Sequence, residues 1–230
     1  MHVHEISIEP AYRFHAKTSS FAVTIMQALL FDQSVQRIAD ETTGPITYQP
    51  DVISPALAAR WFTALHEQVA WHGGTRMMYE RMVDVPRLYS HYAIDDPLLP
   101  AVLGTALAVV KEQVQAPFNS IDLNLYRDEH DSVAPHNDKL HELVVHQPIV
   151  LLSLGATRTM IIRRKMPPHL KTELALEAGS LLLMGWNAQL HYDHGIPKLQ
   201  QPVGPRISLA FRVRPHATGS WGVRAEGSDK

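Results

Sequence analysis

Cysteine is absent from the 230-residue chain, which excludes disulfides, thiolate metal sites, iron–sulfur clusters and cysteine nucleophiles. Any metal must therefore be held by His, Asp or Glu side chains. Long apolar runs are missing too, because the early stretch from Phe21 to Phe31 is interrupted by Thr24 and Gln27 and is too short to cross a bilayer. The first residues also lack the basic-then-apolar order of a secretory signal. We therefore expect a cytoplasmic protein that does not act at membranes.

A large excess of charge of one sign is also lacking. The chain has 21 basic and 23 acidic residues, a net charge of −2, so it is not a polycation of the histone kind. One local exception runs from Arg158 to Lys171, which includes Arg163, Arg164 and Lys165 and no acidic residue. This segment could contact nucleic-acid phosphates. A strand edge guarded by solvated charges explains it equally well.

The spacing of apolar residues separates a helical part from a strand-rich part. A helix is predicted from Ser54 to about residue 74, and a second from about Asp96 to before Pro117. Beyond Pro117, apolar and polar residues alternate, as in half-buried strands. The predicted strands are Ser120–Tyr126, 147–154, 159–164, 180–186 and 205–213. Successive strands without intervening helices predict an α+β fold, in which flanking N-terminal helices precede a β-sandwich or jelly-roll core.

Candidate metal ligands lie in the strand-rich part. His136 and Asp138 are two residues apart, which on an extended backbone places both side chains on one side. His191 or His194 could supply a third ligand. Two histidines and one carboxylate form the facial triad of non-haem Fe(II) oxygenases, which leaves positions open for a bidentate co-substrate and dioxygen. The His-x-Asp pattern is weak alone, because residues 191–193 also fit it and an unrelated surface pair is as frequent.

A second polar pattern lies near the C-terminal end. Within the last predicted strand, alternation places Arg206 and Arg212 on one face and apolar residues on the other. If this face is buried, both guanidinium groups need anionic partners, which a dicarboxylate would supply. The pattern alone favours the alternative that both arginines face solvent. Asn124 and Tyr126, on the polar face of an earlier strand, could complete such a pocket, be exposed or, for Tyr126, pack in the core.

Taken together and in order, these motifs resemble the AlkB family of Fe(II)/2-oxoglutarate dioxygenases. The matching segments are Asn124-x-Tyr126, His136-x-Asp138, Pro148–Gly155, Gly179–Met184, His194–Pro197, and Arg206 with Arg212. The resemblance extends over residues 49–215, which we predict to be the oxygenase domain. It implies a double-stranded β-helix, preceded by a variable N-terminal extension at residues 1–48 and followed by a C-terminal tail at residues 216–230.

The resemblance also implies a set of functional residues. The family's distal histidine precedes a short turn that ends in proline, which selects His194 over His191. Fe(II) would then be held by His136, Asp138 and His194. The co-substrate 2-oxoglutarate would be held by Asn124, Tyr126, Arg206 and Arg212, of which the two arginines would pair with its carboxylates. No separate acid or base residue is implied.

The reaction implied by the resemblance is oxidative removal of an N-linked methyl group from a base such as 1-methyladenine or 3-methylcytosine in DNA or RNA. It consumes O2 and 2-oxoglutarate and releases formaldehyde, succinate and CO2. The base must be flipped out of a duplex or presented on a single strand. The expected base contacts are Arg87, Tyr89 and Tyr92, with His91 beside them, and the expected phosphate contacts are Arg163, Arg164 and Lys165. We expect a monomer.

Two alternatives remain at this stage. Leu140 stands two positions after Asp138, where many family members carry an acidic residue that helps to read the base. Together with the low net charge, this favours as the first alternative the same oxygenase core acting on a protein or a small molecule. The second alternative is a binding module with the same β fold and incidental histidines. The intact triad and arginine pair argue against the second.

Overall fold

The computed structural model of the chain describes residues 35–40, 42–78 and 81–215. Within these residues the helices are α1 (Pro55–Gln68), α2 (Ala101–Gln113) and α3 (Ala188–His191), and a 3₁₀ turn covers Leu140–Glu142. The strands are β1 (Gln36–Ala39), β2 (Ile46–Gln49), β3 (Thr75–Met78), β4 (Arg81–Asp84), β5 (Leu88–Ala93), β6 (Ser120–Tyr126), β7 (Val133–His136), β8 (Ile149–Gly155), β9 (Arg158–Arg164), β10 (Lys171–Leu176), β11 (Leu181–Met184), β12 (Tyr192–Ile196) and β13 (Arg206–Arg212).

The strands form two main sheets that share an apolar core. The larger sheet has the order β1-β2-β11-β8-β13-β6-β5, and the smaller has the order β10-β9-β12-β7. All of their strand pairs are antiparallel, and β3 and β4 pair separately. Strands distant in sequence are neighbours in both sheets, which is typical of a jelly roll. The predicted α+β fold with a jelly-roll core and flanking helices is confirmed.

Two apolar clusters explain the alternation in the sequence. In β13, Ile207, Leu209 and Phe211 pack against the cluster that includes α1 and α2. The opposite face of β13, which contains Arg206 and Arg212, lines a cavity between the two sheets. A strand covered on both sides cannot expose its polar residues to solvent. The interpretation that both arginines face solvent is therefore wrong.

The two long helices differ from their predicted bounds. Helix α1 begins as predicted, because the Ser54 hydroxyl accepts a hydrogen bond from the Leu57 backbone N–H. It ends at Gln68, before the predicted end near residue 74, because His72 pairs with Tyr89 as an isolated β-bridge. Helix α2 begins at Ala101 and not near Asp96, because the Asp96 carboxylate accepts the Leu98 N–H in a preceding turn.

The N-terminal part of the described chain belongs to the larger sheet. Strands β1 and β2 form one edge of it, and β2 pairs with β11. Residues 36–39 and 46–48 of the predicted extension therefore contribute to the sandwich. The rest of that extension, residues 1–34, and the predicted tail, residues 216–230, lie outside the described residues. None of the described helices has the length and apolar character that a membrane span requires.

Candidate metal centre

The predicted triad is brought together between the two sheets. His136 ends β7, Asp138 follows it by two residues, and His194 lies in β12 directly opposite His136. One possible ligand atom from each of the three side chains lies within 4.8 Å of the others. This separation suits three donors around a single ion. The other candidate, His191, ends helix α3 and is not part of this group.

Hydrogen bonds orient two of these side chains. The Nδ1 atom of His136 lies 2.9 Å from the Ala134 carbonyl oxygen. A carbonyl can only accept, so Nδ1 carries the proton and Nε2 keeps its lone pair for a metal. The backbone N–H of Asp138 donates to Oε1 of the buried Gln189 at 2.9 Å. Gln189 therefore fixes the chain at Asp138.

The charge states of the triad suit metal binding. Burial, together with the nearby His136, lowers the pKa of His194 to about 4, so its ring is neutral at pH 7. Burial acts to raise the pKa of Asp138, but the charge of Arg212 and its hydrogen bond to the carboxylate act against it, and the pKa is lowered. Asp138 is therefore a carboxylate at neutral pH. A neutral imidazole at His194 and a carboxylate at Asp138 are the protonation states that a divalent cation requires of these two ligands.

Arg206 lies in the same cavity and has no ionic partner. Its side chain is 1% exposed, and its Nη2 donates to the Ser153 hydroxyl at 3.0 Å. Its Nε has no hydrogen-bond partner, and neither does the buried hydroxyl of Ser208. Burial and the nearby Arg158 lower the pKa of Arg206 to about 10, which still leaves it charged at pH 7. Within the described residues no carboxylate pairs with it, so this end of the cavity is suited to an anion.

Arg212 lines the cavity too, but it is already paired. Its Nε and Nη2 atoms both lie 2.8 Å from Oδ2 of Asp138. Its Nη1 donates to Oδ2 of Asp122. Two protein carboxylates thus already bind the Arg212 guanidinium. A co-substrate carboxylate, the predicted partner of Arg212, would have to share it with them.

Three other predicted residues line the cavity: Asn124, Tyr126 and Arg87. The Nε of Arg87 donates to Oδ1 of Asn124 at 2.8 Å. The ring of Tyr126 lies 5.5 Å from the Arg206 guanidinium carbon, within cation–π range. Burial raises the pKa of the Tyr126 phenol, so it stays protonated and can donate a hydrogen bond. Arg87, predicted as a base contact, thus shares the cavity with the predicted co-substrate residues.

The predicted aromatic base contacts lie outside the cavity lining. Tyr89 is 42% exposed on edge strand β5, and its ring centroid is 6.1 Å from that of His72. Tyr92 packs against the apolar cluster on the helical face of the larger sheet. Because side chains alternate along a strand, Tyr92 and Tyr89 face opposite sides. The ring of Tyr92 therefore lies on the far side of the sheet from the cavity, a position that does not favour its predicted place in a lid over the base.

The predicted phosphate contacts lie at the end of β9 that adjoins the triad. Arg163 pairs with Asp193 at 2.9 Å. Lys165 donates to Oδ1 of Asn137 and to the Gln189 carbonyl oxygen, both at 2.8 Å. The backbone N–H of Arg164 donates to the Leu170 carbonyl oxygen in the β9–β10 connection. Arg163 and Lys165 thus share the carboxylate of Asp193, which lies outside the segment that the sequence showed to be free of acids.

Several residues of the site were not singled out from the sequence. Asp122 pairs with Arg212, Gln189 fixes Asp138, and Ser153 bonds to Arg206. The alternation in β6 places Asp122 on the same face as Asn124, which was the one signal available in the sequence for it. Gln189 and Ser153 had no such signal, because their contacts depend on which elements become neighbours.

A family model described as the 2OG-Fe(II) oxygenase superfamily matches residues 45–212. The chain is 34% identical over 152 residues to alpha-ketoglutarate-dependent dioxygenase alkB homolog 3 of Homo sapiens, which covers 63% of this chain and 50% of that protein. It is 34% identical over 102 residues to DNA oxidative demethylase ALKBH2 of Bos taurus, which covers 41% of this chain and 37% of that protein.

The chain therefore spans about half the length of alkB homolog 3 and a smaller part of ALKBH2. Among solved structures, one described as the structure of OsALKBH1 aligns with a TM-score of 0.51 at 14% identity, over 79% of this chain and 100% of that one. At that identity the likeness concerns the fold, and it agrees with the jelly-roll arrangement of the sheets.

Proposed function

Because the chain belongs to the 2OG-Fe(II) oxygenase superfamily, we propose that it is a dioxygenase that oxidatively removes methyl groups from N-methylated bases in DNA or RNA. The family description names both Fe(II) and 2-oxoglutarate, which confirms the cofactor prediction. The curated relatives confirm the resemblance to the AlkB family. One observation carries the proposal: the His136, Asp138 and His194 triad shares a cavity with the unpaired, buried Arg206.

The residues present fit an iron ion. Two imidazoles and one carboxylate converge, and their donor atoms are close enough to share one cation. His136 Nε2 is free to bind because Nδ1 is engaged with a carbonyl, and His194 is neutral. Asp138 offers its Oδ1 atom, since its Oδ2 accepts from Arg212. We assign these three residues as the metal ligands.

The residues present also fit a dicarboxylate co-substrate. Arg206 offers an unused Nε donor at the closed end of the cavity, and the Ser208 hydroxyl beside it has no partner. Tyr126 adds a phenol, and Asn124 adds an amide NH2, because its oxygen already accepts from Arg87. We assign Arg206, Tyr126 and Asn124 to 2-oxoglutarate, and Arg212 to both the co-substrate and Asp138. The protein's role is to hold the co-substrate in one orientation and to exclude water.

When bound, the iron with 2-oxoglutarate and O2 supplies the oxidant that hydroxylates the methyl group. The hydroxymethyl group then leaves the base nitrogen as formaldehyde, while 2-oxoglutarate becomes succinate and CO2. No side chain in the cavity is required as a separate acid or base. The base must reach the mouth of the cavity, which requires a flipped nucleotide or a single strand.

A nucleic-acid substrate is supported by the relatives and by one cavity residue. The bovine relative is described as a DNA oxidative demethylase. Arg87 lines the cavity, and among the described residues its side chain donates through Nε to Asn124, so its guanidinium NH2 groups are suited to a base edge or a phosphate. Tyr89, on the exposed edge strand, is retained as a stacking candidate, and Arg163, Arg164 and Lys165 as phosphate contacts. RNA as a substrate, a cytoplasmic location and a monomeric state are parts of the same proposal.

A protein or small-molecule substrate is the second candidate. Arg163 and Lys165 are paired with Asp193, which reduces the charge available for phosphates. Leu140 places an apolar side chain in the 3₁₀ turn after the ligand Asp138, where it cannot hydrogen-bond to a base. Both observations favour a less charged substrate.

The test uses anaerobically iron-loaded protein with 2-oxoglutarate, O2 and short single strands of DNA or RNA that contain 1-methyladenine or 3-methylcytosine. Formaldehyde, succinate and the repaired base are quantified. The matched variants are Asp138→Ala, which removes a proposed ligand, and Asp95→Ala, which removes an aspartate outside the cavity lining. Demethylation by the wild type and by Asp95→Ala, but not by Asp138→Ala, supports the proposal. Succinate without demethylation favours the second candidate. If iron binds but neither succinate nor formaldehyde forms, both candidate functions are overturned and a non-catalytic binding module is favoured.

A further inference from the structure

Asp122 connects two arginines and one histidine beside the triad. It lies in the middle of β6, opposite His91 of β5 and Ala210 of β13. Its Oδ1 accepts a hydrogen bond from His91 Nδ1 at 2.6 Å. Its Oδ2 accepts from Arg214 Nη2 at 2.8 Å and from Arg212 Nη1. One carboxylate thus holds two guanidinium groups side by side.

Each of the two arginines also holds the segment that follows β7. Arg212 bonds to Asp138, at the start of this segment. Arg214 bonds to Oε2 of Glu142 at 3.1 Å, at its end. Residues 138–142 are therefore fixed at both ends by hydrogen bonds from Arg212 and Arg214. Both of these arginines are in turn bonded to Asp122.

We infer that Asp122 is a positioning residue, which holds Arg212 so that only one oxygen of Asp138 remains for the metal and which fixes the cavity wall from Asp138 to Glu142 through Arg214. This inference rests on the proposed metal role of the triad. Asp122 does not itself line the cavity, so it acts through the two arginines.

The electrostatics explain why this carboxylate is needed. Two guanidinium groups that bond to the same oxygen repel each other unless a negative charge lies between them. Arg212 and Arg214 are 14% and 16% exposed, so solvent screens this repulsion little. Without Asp122, Arg212 would be free to turn fully toward Asp138 and to occupy both of its oxygens as a bidentate pair. Asp138, the proposed metal ligand, would then have no carboxylate oxygen free for a cation.

The test compares Asp122→Asn with Asp131→Asn. Asp131 is also a buried carboxylate, paired with Arg127, but it lies outside the cavity lining. In the metal-free protein, NMR measures the hydrogen exchange of the Arg212 Nη1 group, which donates to Asp122. Titration with Mn(II), followed by electron paramagnetic resonance, then measures metal affinity without any co-substrate or nucleic acid.

For Asp122→Asn we expect faster exchange at the Arg212 Nη1 hydrogens, which lose their carboxylate acceptor, and a dissociation constant for Mn(II) that rises by about 10- to 100-fold, the usual effect of losing an outer-shell partner. Asp131→Asn should lower the melting temperature without either change. Unchanged exchange and unchanged Mn(II) affinity in Asp122→Asn overturn the inference.

A second variant keeps the inference testable if Asp122→Asn does not fold. Arg214→Gln removes the contact with Glu142 but leaves Asp122 bonded to Arg212. It should speed backbone amide exchange at Glu142 and Leu143, which close the 3₁₀ turn, and leave Mn(II) affinity within about twofold. An unchanged turn contradicts the inference. If the wild type binds no Mn(II), the proposed function fails, whereas the exchange rates still decide the role of Asp122.

Discussion

His194 of β12 lies directly opposite His136 of β7, and the centroids of their rings are 4.5 Å apart. The metal centre therefore depends on strand register, because a slip of one residue in β7 would turn His136 to the other face of the sheet. Strand β7 is an edge strand with four residues. A cation shared by the two histidines would hold this edge in register.

We therefore expect metal to stabilise the fold. A divalent cation at about 100 times its dissociation constant should raise the free energy of unfolding by about 3 kcal/mol. The measurement is the melting temperature with Mn(II) and with a chelator. His136→Ala should abolish the difference, and His141→Ala, whose side chain is 78% exposed beside Glu142, should retain it. A full Mn(II) effect in His136→Ala contradicts the assigned ligand set.

The pairing of β12 with β7 also leaves no room for a side chain at Gly195, which follows His194. A Cβ there would lie 2.9 Å from the Val133 carbonyl oxygen and 3.0 Å from the Pro135 nitrogen, both in the backbone of β7. Gly195→Ala should push β7 away from β12, weaken Mn(II) binding and destabilise the protein by about 1–3 kcal/mol. Denaturant unfolding and Mn(II) titration measure the two effects.

Gly104→Ala is the control, because a Cβ at Gly104 in α2 meets nothing within 4 Å. In a helix this change should stabilise the protein by about 0.5–1 kcal/mol and leave Mn(II) affinity unchanged. If Gly195→Ala and Gly104→Ala change stability and Mn(II) affinity in the same way, the close approach of β7 and β12 is not the reason for a glycine at residue 195.

Much of the fold could be predicted because the central strands are either apolar runs, as in β8 and β11, or alternating runs, as in β6 and β13. Strands β6, β8, β9, β11 and β13 all lie within or close to their predicted ranges. Strands β1, β2, β7 and β12 have four or five residues, and unlike the four-residue strand β11 none of them is a continuous apolar run. The second helix was misplaced because Asp96-Pro97 resembles a helix start, whereas Asp96 in fact closes a turn.

The candidate site could be predicted only where its residues share one strand or one motif. Alternation alone placed Asn124 and Tyr126 on one face, and motif order selected His194. The partners of Arg212 could not be predicted, since Asp122 and Asp138 come from different elements that meet only through strand pairing. The face on which Tyr92 lies could not be predicted for a similar reason: edge strand β5 has side chains on both faces, and the sequence did not show which face meets the cavity.

Acid should destabilise the protein through Asp122. Burial acts to raise the pKa of this carboxyl, but the hydrogen bond from His91 and the charges of Arg212 and Arg214 outweigh it and hold the pKa well below its ordinary value of 3.8. A carboxyl with a lowered pKa in the folded state contributes stability that is present above the unfolded value and is lost as pH falls below it. We expect this contribution to be on the order of 2–3 kcal/mol.

The measurement is the free energy of unfolding in urea, between about pH 6 and pH 3. Asp122→Asn should be less stable than the wild type at pH 6, and the gap should narrow toward pH 3. Glu173→Gln, which removes an exposed carboxylate paired with Lys171, should follow the wild-type profile. A gap for Asp122→Asn that stays constant with pH would show that the hydrogen bonds of Asp122, and not its charge, determine its contribution.

Arg206 and Arg158 are buried to the same extent but differ in their hydrogen-bond partners, so variants of the two can separate a role in co-substrate binding from a role in stability. Both are 1% exposed, and both guanidinium carbons lie within 6 Å of the Tyr126 ring centroid, at 5.5 and 5.7 Å. Arg158 donates to three backbone carbonyls, those of Asp128, Asp131 and Pro197. Arg206 donates only to the Ser153 hydroxyl among the described residues. A buried charge with so few partners costs stability that an anion would restore.

Arg206→Met should therefore stabilise the protein free of co-substrate by about 1–3 kcal/mol, and raise the dissociation constant for 2-oxoglutarate at least about tenfold. Arg158→Met should instead destabilise it by about 2–4 kcal/mol, because three buried carbonyls lose their donor. Urea unfolding and calorimetric titration with 2-oxoglutarate in the presence of Mn(II) measure both quantities. If Arg206→Met lowers stability as Arg158→Met does, Arg206 is a structural residue, and the anion site must be sought elsewhere in the cavity.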